Sequence, residues 1–127
     1  MIVKQHALRV SAALRREIDG VRRVVIARTD GLAFADDGPE HDHEATAAIT
    51  ATVLGIAQRA AASSGLGDFR TTTVRGADGC LVVHAVDSTH LLAVVTDPMV
   101  NLVLLDRVAA RLVGDLAGAE AGAVPAR

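Results

Sequence analysis

The residues best suited to chemistry form a short run of metal-ligand types, His41-Asp42-His43-Glu44, shortly after Asp36 and Asp37. Imidazole and carboxylate groups are the usual ligands of zinc and of other divalent ions. Zinc sites hold their ligands on regular elements and orient them with further hydrogen-bond partners, whereas this run follows a loop that contains Gly38 and Pro39. Acidic residues at the start of a helix are also expected from the helix dipole alone. We therefore predict that the run binds no metal ion.

Cys80 and His84 form the second candidate, a thiol–imidazole pair for nucleophilic catalysis, on one face of a predicted strand. Four residues of strand span about 13 Å, which is too far for the hydrogen bond that activates a thiol. Cys80 is the only cysteine, so we expect a small core residue and no internal disulfide. The sequence has neither the Gly-x-Ser-x-Gly elbow of a hydrolase nor a P-loop, because Lys4, its only lysine, follows no glycine-rich loop. We predict that the protein is not an enzyme and has no catalytic residue and no cofactor.

Length and composition indicate one domain with a large apolar core. Half of the 127 residues are hydrophobic and the mean hydropathy is +0.34, which predicts a tightly packed core together with a buried subunit interface. A net charge of −2 and only two aromatic residues, Phe34 and Phe69, argue against nucleic-acid binding, which needs basic patches and stacking surfaces. The longest apolar run inside a predicted element, Leu91 to Val95, is far shorter than the roughly 20 residues of a membrane span. The amino terminus has no hydrophobic signal core, so we expect a cytoplasmic protein without membrane insertion.

Hydrophobic patterning predicts the element order α-β-β-α-β-β-β-α. The predicted helices cover residues 6–19 and 43–63 and a third begins at Asp97-Pro98; the predicted strands cover residues 21–28, 32–36, 69–75, 80–86 and 90–96. The first strand is apolar on both faces, with Val24 and Ile26 on one and Val25 on the other, which is typical of a sheet covered by helices on both sides. The predicted fold is an α+β sandwich, a five-stranded antiparallel sheet with helices on both faces. We expect one domain over residues 1–118 and a flexible carboxyl-terminal tail, 119–127, which lacks an apolar stripe.

Short local signals mark the ends of these elements. Thr29-Asp30-Gly31, between the first two strands, predicts a tight hairpin because Asp-Gly readily adopts positive φ angles. Gly20 is a candidate C-cap of the first helix, and Asp42 is well placed to cap the second. Asp97 followed by Pro98 predicts the N-cap and first turn of the third helix.

The second helix and the strand after it carry the candidate interaction surface. The helix has one ridge of larger apolar residues among many alanines, which are small enough for another backbone to approach, although alanine is also simply the best helix former. The segment Thr71-Thr72-Thr73-Val74-Arg75 is β-branched and free of proline and lysine. At a sheet edge its unpaired backbone groups would bind another strand and, beside such a helix, form a self-complementary twofold surface; the alternative is an interior strand with a polar face. The predicted dimer or partner interface consists of Ile49, Thr52, Val53, Ile56, Thr71 and Thr73.

Several short motifs follow one another in an order that is informative as a whole. They are Gly20-Val21 leading into Val24-Val25-Ile26, Asp30-Gly31-Leu32 and Ala35, the alanine-rich helix, Asp78-Gly79 before Leu81-Val82-Val83, Leu91-Leu92-Ala93-Val94-Val95, and Asn101-Leu102 opening the last helix. Over about residues 5–117 this order resembles the Roadblock/light-chain-seven (Roadblock/LC7) domain family, within the group of longin-, profilin- and Roadblock-like folds. The compact form and the arginine and alanine bias are similar to the actinobacterial branch of that family.

The resemblance implies a homodimer in which the second helices pack together and the third strands pair into one sheet. It also implies a regulator or scaffold of a small Ras-like GTPase, with a sensor-kinase-like protein as a further partner. The family has no common catalytic residue, so none is assigned; Arg22, Arg28 or Arg59 could supply an arginine finger, but surface arginines are usually only solvated. The alternative is a small-molecule-sensing or general protein-interaction module of profilin- or longin-like fold, and the few polar groups inside such a core argue against a ligand pocket.

Overall fold

Three helices and five strands make up the residues that the computed structural model describes, which are Ile2 and 4–122. The helices are α1 (Lys4–Glu17), α2 (His43–Ser63) and α3 (Leu102–Gly122); the strands are β1 (Val21–Arg28), β2 (Ala33–Asp36), β3 (Thr71–Gly76), β4 (Gly79–Ala85) and β5 (His90–Thr96); and a single 3-10 turn, Glu40–Asp42, precedes α2. The predicted element order and the α+β class are confirmed. The bounds of β1, α2 and β5 are those that the patterning predicts.

The five strands form one sheet in the order β2-β1-β5-β4-β3, and every neighbouring pair is antiparallel. β5 therefore lies at the centre, between β1 and β4, while β2 and β3 are the two edges. The threonine-rich strand is thus an edge strand, and the alternative of an interior strand is excluded. A tight turn, Ala77-Asp78, joins β3 to β4 after the Gly76–Gly79 pair.

Apolar side chains cover the sheet on both faces, as the pattern of β1 predicts. Val24 and Ile26 pack in a cluster with α1 and α3, whereas Val25 and Ala27 pack in a second cluster with α2. In the first cluster Leu14 of α1 is fully buried. Each large side chain of this kind contributes roughly 1.5–3 kcal/mol when it leaves water, so the two clusters hold the helices on the sheet.

The hairpin between β1 and β2 is a three-residue loop. Gly31 has a φ of +94°, whereas no residue other than glycine has a positive φ in the described part of the chain. The Gly31 N–H donates to the Arg28 carbonyl at 3.0 Å, and the Arg28 N–H donates to the Leu32 carbonyl at 2.8 Å. Asp30 therefore sits in an ordinary turn conformation and only Gly31 supplies the left-handed residue that closes such a loop.

Helix α3 begins at Leu102, so the start predicted from Asp97-Pro98 is wrong, whereas the motif Asn101-Leu102 does open the last helix, as the resemblance implies. The carboxylate of Asp97 forms an ion pair with Arg22 of β1 and does not cap a helix. The cap comes from Asn101, whose side-chain oxygen accepts a hydrogen bond from the Leu104 N–H at 3.0 Å. A tertiary contact thus removes one capping group, and the next suitable side chain takes its place.

The other helix ends also differ in detail from the predictions. Asp42 directly precedes α2, but its side chain makes no capping hydrogen bond, because the 3-10 turn leads the backbone into the helix. Gly20, the predicted C-cap, has a φ of +93° and lies beyond the end of α1. Helix α3 continues to Gly122, past the predicted domain boundary at residue 118, and the rest of the predicted tail, 123–127, lies outside the described residues. None of the described helices combines the length and the apolar content that crossing a membrane requires.

Replacing Gly79 with alanine is expected to destabilise the fold. A Cβ atom at Gly79 would collide with the backbone carbonyl oxygen of Thr96 on β5, and forcing extra atoms into a packed site costs about 1–3 kcal/mol. Gly55, inside α2, is the matched control because no atom lies within 4 Å of its would-be Cβ and alanine is the better helix former by about 1 kcal/mol. Urea unfolding should show a lower free energy for Gly79→Ala and an unchanged or higher one for Gly55→Ala. Equal losses in the two variants would contradict the close approach of β4 and β5.

Candidate functional site

The outer edge of β3 presents unpaired backbone groups. Hydrogen bonds alternate along an antiparallel pair, and the Ala85 N–H donates to the Arg70 carbonyl at 3.4 Å just before β3 begins. In the register of β3 on β4, Thr71, Thr73 and Arg75 are therefore the residues whose N–H and C=O groups point away from β4. No further strand of the described residues pairs on that side, so these groups can bond another strand.

The side chains of Thr71 and Thr73 lie on the face of the sheet opposite to α2. Residues that pair directly across antiparallel strands point to the same face, and Thr71 pairs with His84 while Thr73 pairs with Val82. Val82 packs in the cluster of α1 and α3. The side chains of the predicted interface are thus divided between the two faces of the sheet, with those of α2 on one face and Thr71 and Thr73 on the other. The backbone edge of β3 lies between the two groups.

Helix α2 turns its isoleucines away from the sheet. Its buried residues are Ala47, Thr50, Leu54 and Ala61. Ile49 and Ile56 keep 58% and 66% of their surface exposed. Thr52 is exposed as well, and Val53 is partly buried against the cluster under α2. Residues seven apart lie above one another on a helix, so the isoleucines form an exposed apolar stripe of the kind that marks interaction sites.

Val74 is an exposed apolar residue that does not belong to the predicted interface. It is 49% exposed and pairs with Leu81, which packs against the α2 cluster. Val74 therefore lies on the face of α2, and so does Thr72, two positions before it. Strand alternation separates these two residues from Thr71 and Thr73, but the sequence does not show which set faces which helix.

The charged residues at the end of β2 and around the loop before α2 form hydrogen bonds within the fold. Arg23 donates two hydrogen bonds to Asp36, at 2.8 and 2.7 Å, and the carboxylate of Asp36 is almost fully buried. His43 Nε2 lies 2.9 Å from the Gly38 carbonyl oxygen, while His41 is exposed. Within residues 4–116, no three side chains of histidine, cysteine, aspartate or glutamate lie together in a way that could hold a metal ion.

Asp37, next to this loop, ties β1 and β2 to helix α1. Its carboxylate accepts hydrogen bonds from Arg15 Nε at 2.6 Å, the Val24 N–H at 2.7 Å and the Ser11 hydroxyl at 3.0 Å. Burial raises the pKa of Asp37, but these hydrogen bonds and the Arg15 charge outweigh it, so the pKa lies below its usual value. The ionised form of Asp37 is therefore a structural element of the fold.

Cys80 and His84 both lie in the interior, without any partner that would make them a catalytic pair. Cys80 is buried in the cluster of α1 and α3. His84 is 5% exposed, and among the described residues its Nε2 has no hydrogen-bond partner. Burial lowers the pKa of His84, against an opposing effect of the Asp106 carboxylate, so the imidazole is neutral near pH 7.

Two of the three arginines considered as arginine fingers are engaged in ion pairs. Arg22 binds Asp97, and Arg28 binds Asp30 at 2.7 Å across the β1–β2 hairpin. Arg59 is exposed on α2 and takes no part in the ion pairs formed within residues 4–116. Of these three arginines it is therefore the one with the greatest freedom to reach a partner.

Two open cavities lie on the face of α1 and α3. A groove of about 450 Å³ runs between the two helices and is lined by Arg9, Arg16 and Leu112, among others. A second cavity of about 340 Å³, the His84 cavity, lies between α3 and the β3 end of the sheet and is lined by His84 and Asp106, among others. Both cavities are open to the surface, so neither is a pocket enclosed within the core.

The family follows from a family model that matches most of the chain, including α2 and β3. The family model of the Roadblock/LC7 domain matches residues 11–96, which run from α1 to the end of β5 and include α2 and β3. The chain belongs to the Roadblock/LC7 domain family. This agrees with the resemblance in the order of its motifs.

Several proteins resemble this Roadblock/LC7 domain in sequence or in fold. Two uncharacterised proteins of Methanocaldococcus jannaschii are each 34% identical to it over 89 residues, which cover 68% of this chain and 76% of the relative. A solved Roadblock/LC7 domain from Streptomyces avermitilis superposes with a TM-score of 0.77 at 22% identity, over 83% of this chain and 89% of that one. Myxococcus xanthus MglB superposes with a TM-score of 0.82 at 18% identity, over 96% of this chain and 99% of that one. The two solved structures share the fold with this protein.

Replacing Asp37 with asparagine is expected to remove part of the acid sensitivity of this Roadblock/LC7 domain. Because the pKa of Asp37 is lower in the folded than in the unfolded state, its contribution is complete above about pH 5 and is lost as the pH falls through the folded pKa. At pH 7 the Asp37→Asn variant should be less stable by about 1 kcal/mol, a low value because Arg15 is exposed. The difference from the wild type should shrink as the pH falls from about 5 to 3.

The control for this experiment is Asp68→Asn, in the exposed loop before β3. Urea unfolding at a series of pH values should show almost no difference between Asp68→Asn and the wild type. A stability difference for Asp37→Asn that stayed constant down to pH 3 would contradict the role of its ionised form.

Proposed function

We propose that this protein is a homodimeric regulator or scaffold that binds a small Ras-like GTPase in the cytoplasm. The proposal rests on the membership of this protein in the Roadblock/LC7 family. The observation that supports it in particular is the exposed apolar stripe on α2, on the same subunit as the open β3 edge of the sheet. A sensor-kinase-like protein is a further partner in the proposal, as the resemblance to the actinobacterial branch implies. The protein performs no chemistry in this role.

The open edge supports a twofold dimer in which two copies of β3 pair. A twofold axis perpendicular to the sheet keeps each face continuous across the seam, so both copies of α2 lie on the same face. The outward backbone groups of Thr71, Thr73 and Arg75 are all used when the strands pair about Thr73, because Thr71 then lies opposite Arg75 of the partner subunit. Ile49 and Ile56, which are exposed in one copy, are then available for contact between the helices or with a third protein.

Regulation without chemistry requires different affinities for two states of the GTPase. A partner that binds the GTP-bound and GDP-bound forms equally shifts neither, whereas each tenfold difference in affinity is worth about 1.4 kcal/mol of bias. Acceleration of hydrolysis, modulation of nucleotide exchange and scaffolding are the three forms that this bias can take. Arg59 is the residue to examine first if hydrolysis is accelerated, because Arg22 and Arg28 are held in ion pairs.

A small-molecule-sensing or general protein-interaction module is the second candidate. The cavities of about 450 and 340 Å³ on the face of α1 and α3 favour it, since small ligands occupy cavities of about 300–1,000 Å³. Both cavities are open to the surface and lie on the face opposite to α2. The two candidate functions therefore use different surfaces and can be separated by variants of each.

Replacing Thr73 with proline is expected to convert the dimer into a monomer. Proline removes the Thr73 N–H, which points away from β4, so the variant loses a hydrogen bond of the proposed seam and keeps the ladder within the subunit. Sedimentation velocity at micromolar concentration should show a dimer for the wild type and for the control Thr73→Ala, which retains the N–H. A Thr73→Pro protein that stays dimeric would place the interface elsewhere.

Introducing a charge on the α2 stripe is expected to weaken GTPase binding, by direct contact or by opening the dimer. Ile56→Asp should lower the affinity for a small Ras-like GTPase from the same genome at least tenfold, because a carboxylate would be buried without a partner. Leu8→Asp is the control, since Leu8 is 57% exposed on α1, on the other face. Calorimetry with the GDP-loaded and the GTP-analogue-loaded GTPase measures both affinities. No binding of the wild type to either form would leave the GTPase proposal without support.

A further inference from the structure

The His84 cavity lies against the edge at which the proposed dimer forms. Thr71, the first residue of β3, lines it together with His84, its pair partner on β4. Asp106 lines it from α3, and Val113 supplies an apolar wall. A strand added to β3 would therefore place side chains of its own at the mouth of this cavity.

Asp106 gives the cavity a carboxylate without a cation partner. Among residues 4–116 it takes part in no ion pair. A carboxylate suits a planar group with several N–H donors, and the apolar wall of Val113 favours the weakly hydrated guanidinium over an ammonium. An arginine side chain therefore suits this cavity better than a lysine side chain.

Neither arginine of this edge pairs with Asp106 in its own subunit. Arg70 lines the cavity, but its backbone carbonyl accepts a hydrogen bond from the Ala85 N–H, and Ala85 packs on the side of α2. By alternation the Arg70 side chain starts from that opposite face. Arg75 starts from the correct face, since it pairs with Cys80, but it lies four residues beyond Thr71, a distance of about 13 Å along the strand.

Antiparallel pairing of two β3 strands brings the partner's Arg75 next to Thr71 and so removes this separation. When two copies of β3 pair about Thr73, Arg75 of the partner subunit lies directly opposite Thr71, at about 5.5 Å between Cα atoms. Directly paired residues share a face, so this side chain emerges on the face of α3 beside the His84 cavity. Arg75 is exposed in the single subunit and belongs to none of the ion pairs of residues 4–116.

We propose that the His84 cavity is a docking site for Arg75 of the partner subunit, which pairs with Asp106 across the dimer seam. The proposal rests on the proposed homodimer and adds to it a register, with Thr73 on the axis, and a specific contact made twice by symmetry. It gives the carboxylate of Asp106, which is unpaired within residues 4–116, a cation partner.

The test is a mixing experiment with two charge reversals in the full-length chain. Arg75→Glu and Asp106→Arg each place two like-charge contacts in their homodimers, so each dimer dissociation constant should rise about tenfold or more. In a heterodimer of the two variants both contacts join opposite charges again, so the mixture should form dimers with an affinity within about threefold of the wild type. Arg107→Glu, a reversal of a neighbouring exposed residue of α3 that is not part of the cavity lining, is the matched control and should change the constant less than threefold.

Two results would overturn the inference, and they differ from each other. If both reversals dimerise like the wild type and mix without preference while Thr73→Pro is monomeric, the dimer stands and the arginine contact is wrong. If the wild type is itself monomeric at micromolar concentration, the proposed dimer fails and the contact fails with it. Circular dichroism of each variant establishes that the subunits are folded, and Arg75→Gln should raise the dissociation constant less than Arg75→Glu because it only removes the attraction.

Discussion

Burial of β1 and β5 on both faces is the constraint on which the rest of the structure depends. Val24 and Ile26 require helices on one side and Val25 and Ala27 require a helix on the other, so these strands can lie only in the interior of the sheet. β5 accordingly occupies the centre with β1 beside it. The short strand β2 and the largely exposed strand β3 are left for the edges.

The two edges are protected to very different degrees. At the β2 end, Asp36 is held by Arg23 and Asp37 is held by Arg15 of α1, so charged groups occupy that end of the sheet and disfavour further pairing. β3 begins with three threonines and exposes most of its residues. One edge therefore ends the sheet, and the other offers continuation by a second chain, which is the physical basis of the proposed dimer and of the arginine contact across it.

Local sequence signals predicted the bounds of an element well where residues close in sequence set those bounds. Strand bounds of β1 and β5 follow from runs of apolar residues, and α2 ends where glycine and serine follow it. Capping preference alone placed the start of α3 too early, at Asp97-Pro98, because it cannot show that the Asp97 carboxylate binds a distant residue, Arg22; the motif Asn101-Leu102 marks the observed start. The sequence did not show which side of α2 packs on the sheet: the helix buries Leu54 together with smaller residues and leaves Ile49 and Ile56 exposed.

The sequence by itself determined the element order, the two-sided burial of the sheet and the family to which the chain belongs, because these depend on periodicity and on short motifs. Only the tertiary structure decided that β3 is an edge, that Thr71 and Thr73 face away from α2, and that His84 and Asp106 line one cavity beside that edge. The physical reason is that strand order and face depend on pairing between residues far apart in the chain. Alternation along one strand divides its residues into two sets, and only the neighbouring strand and the helix above it assign a face to each set.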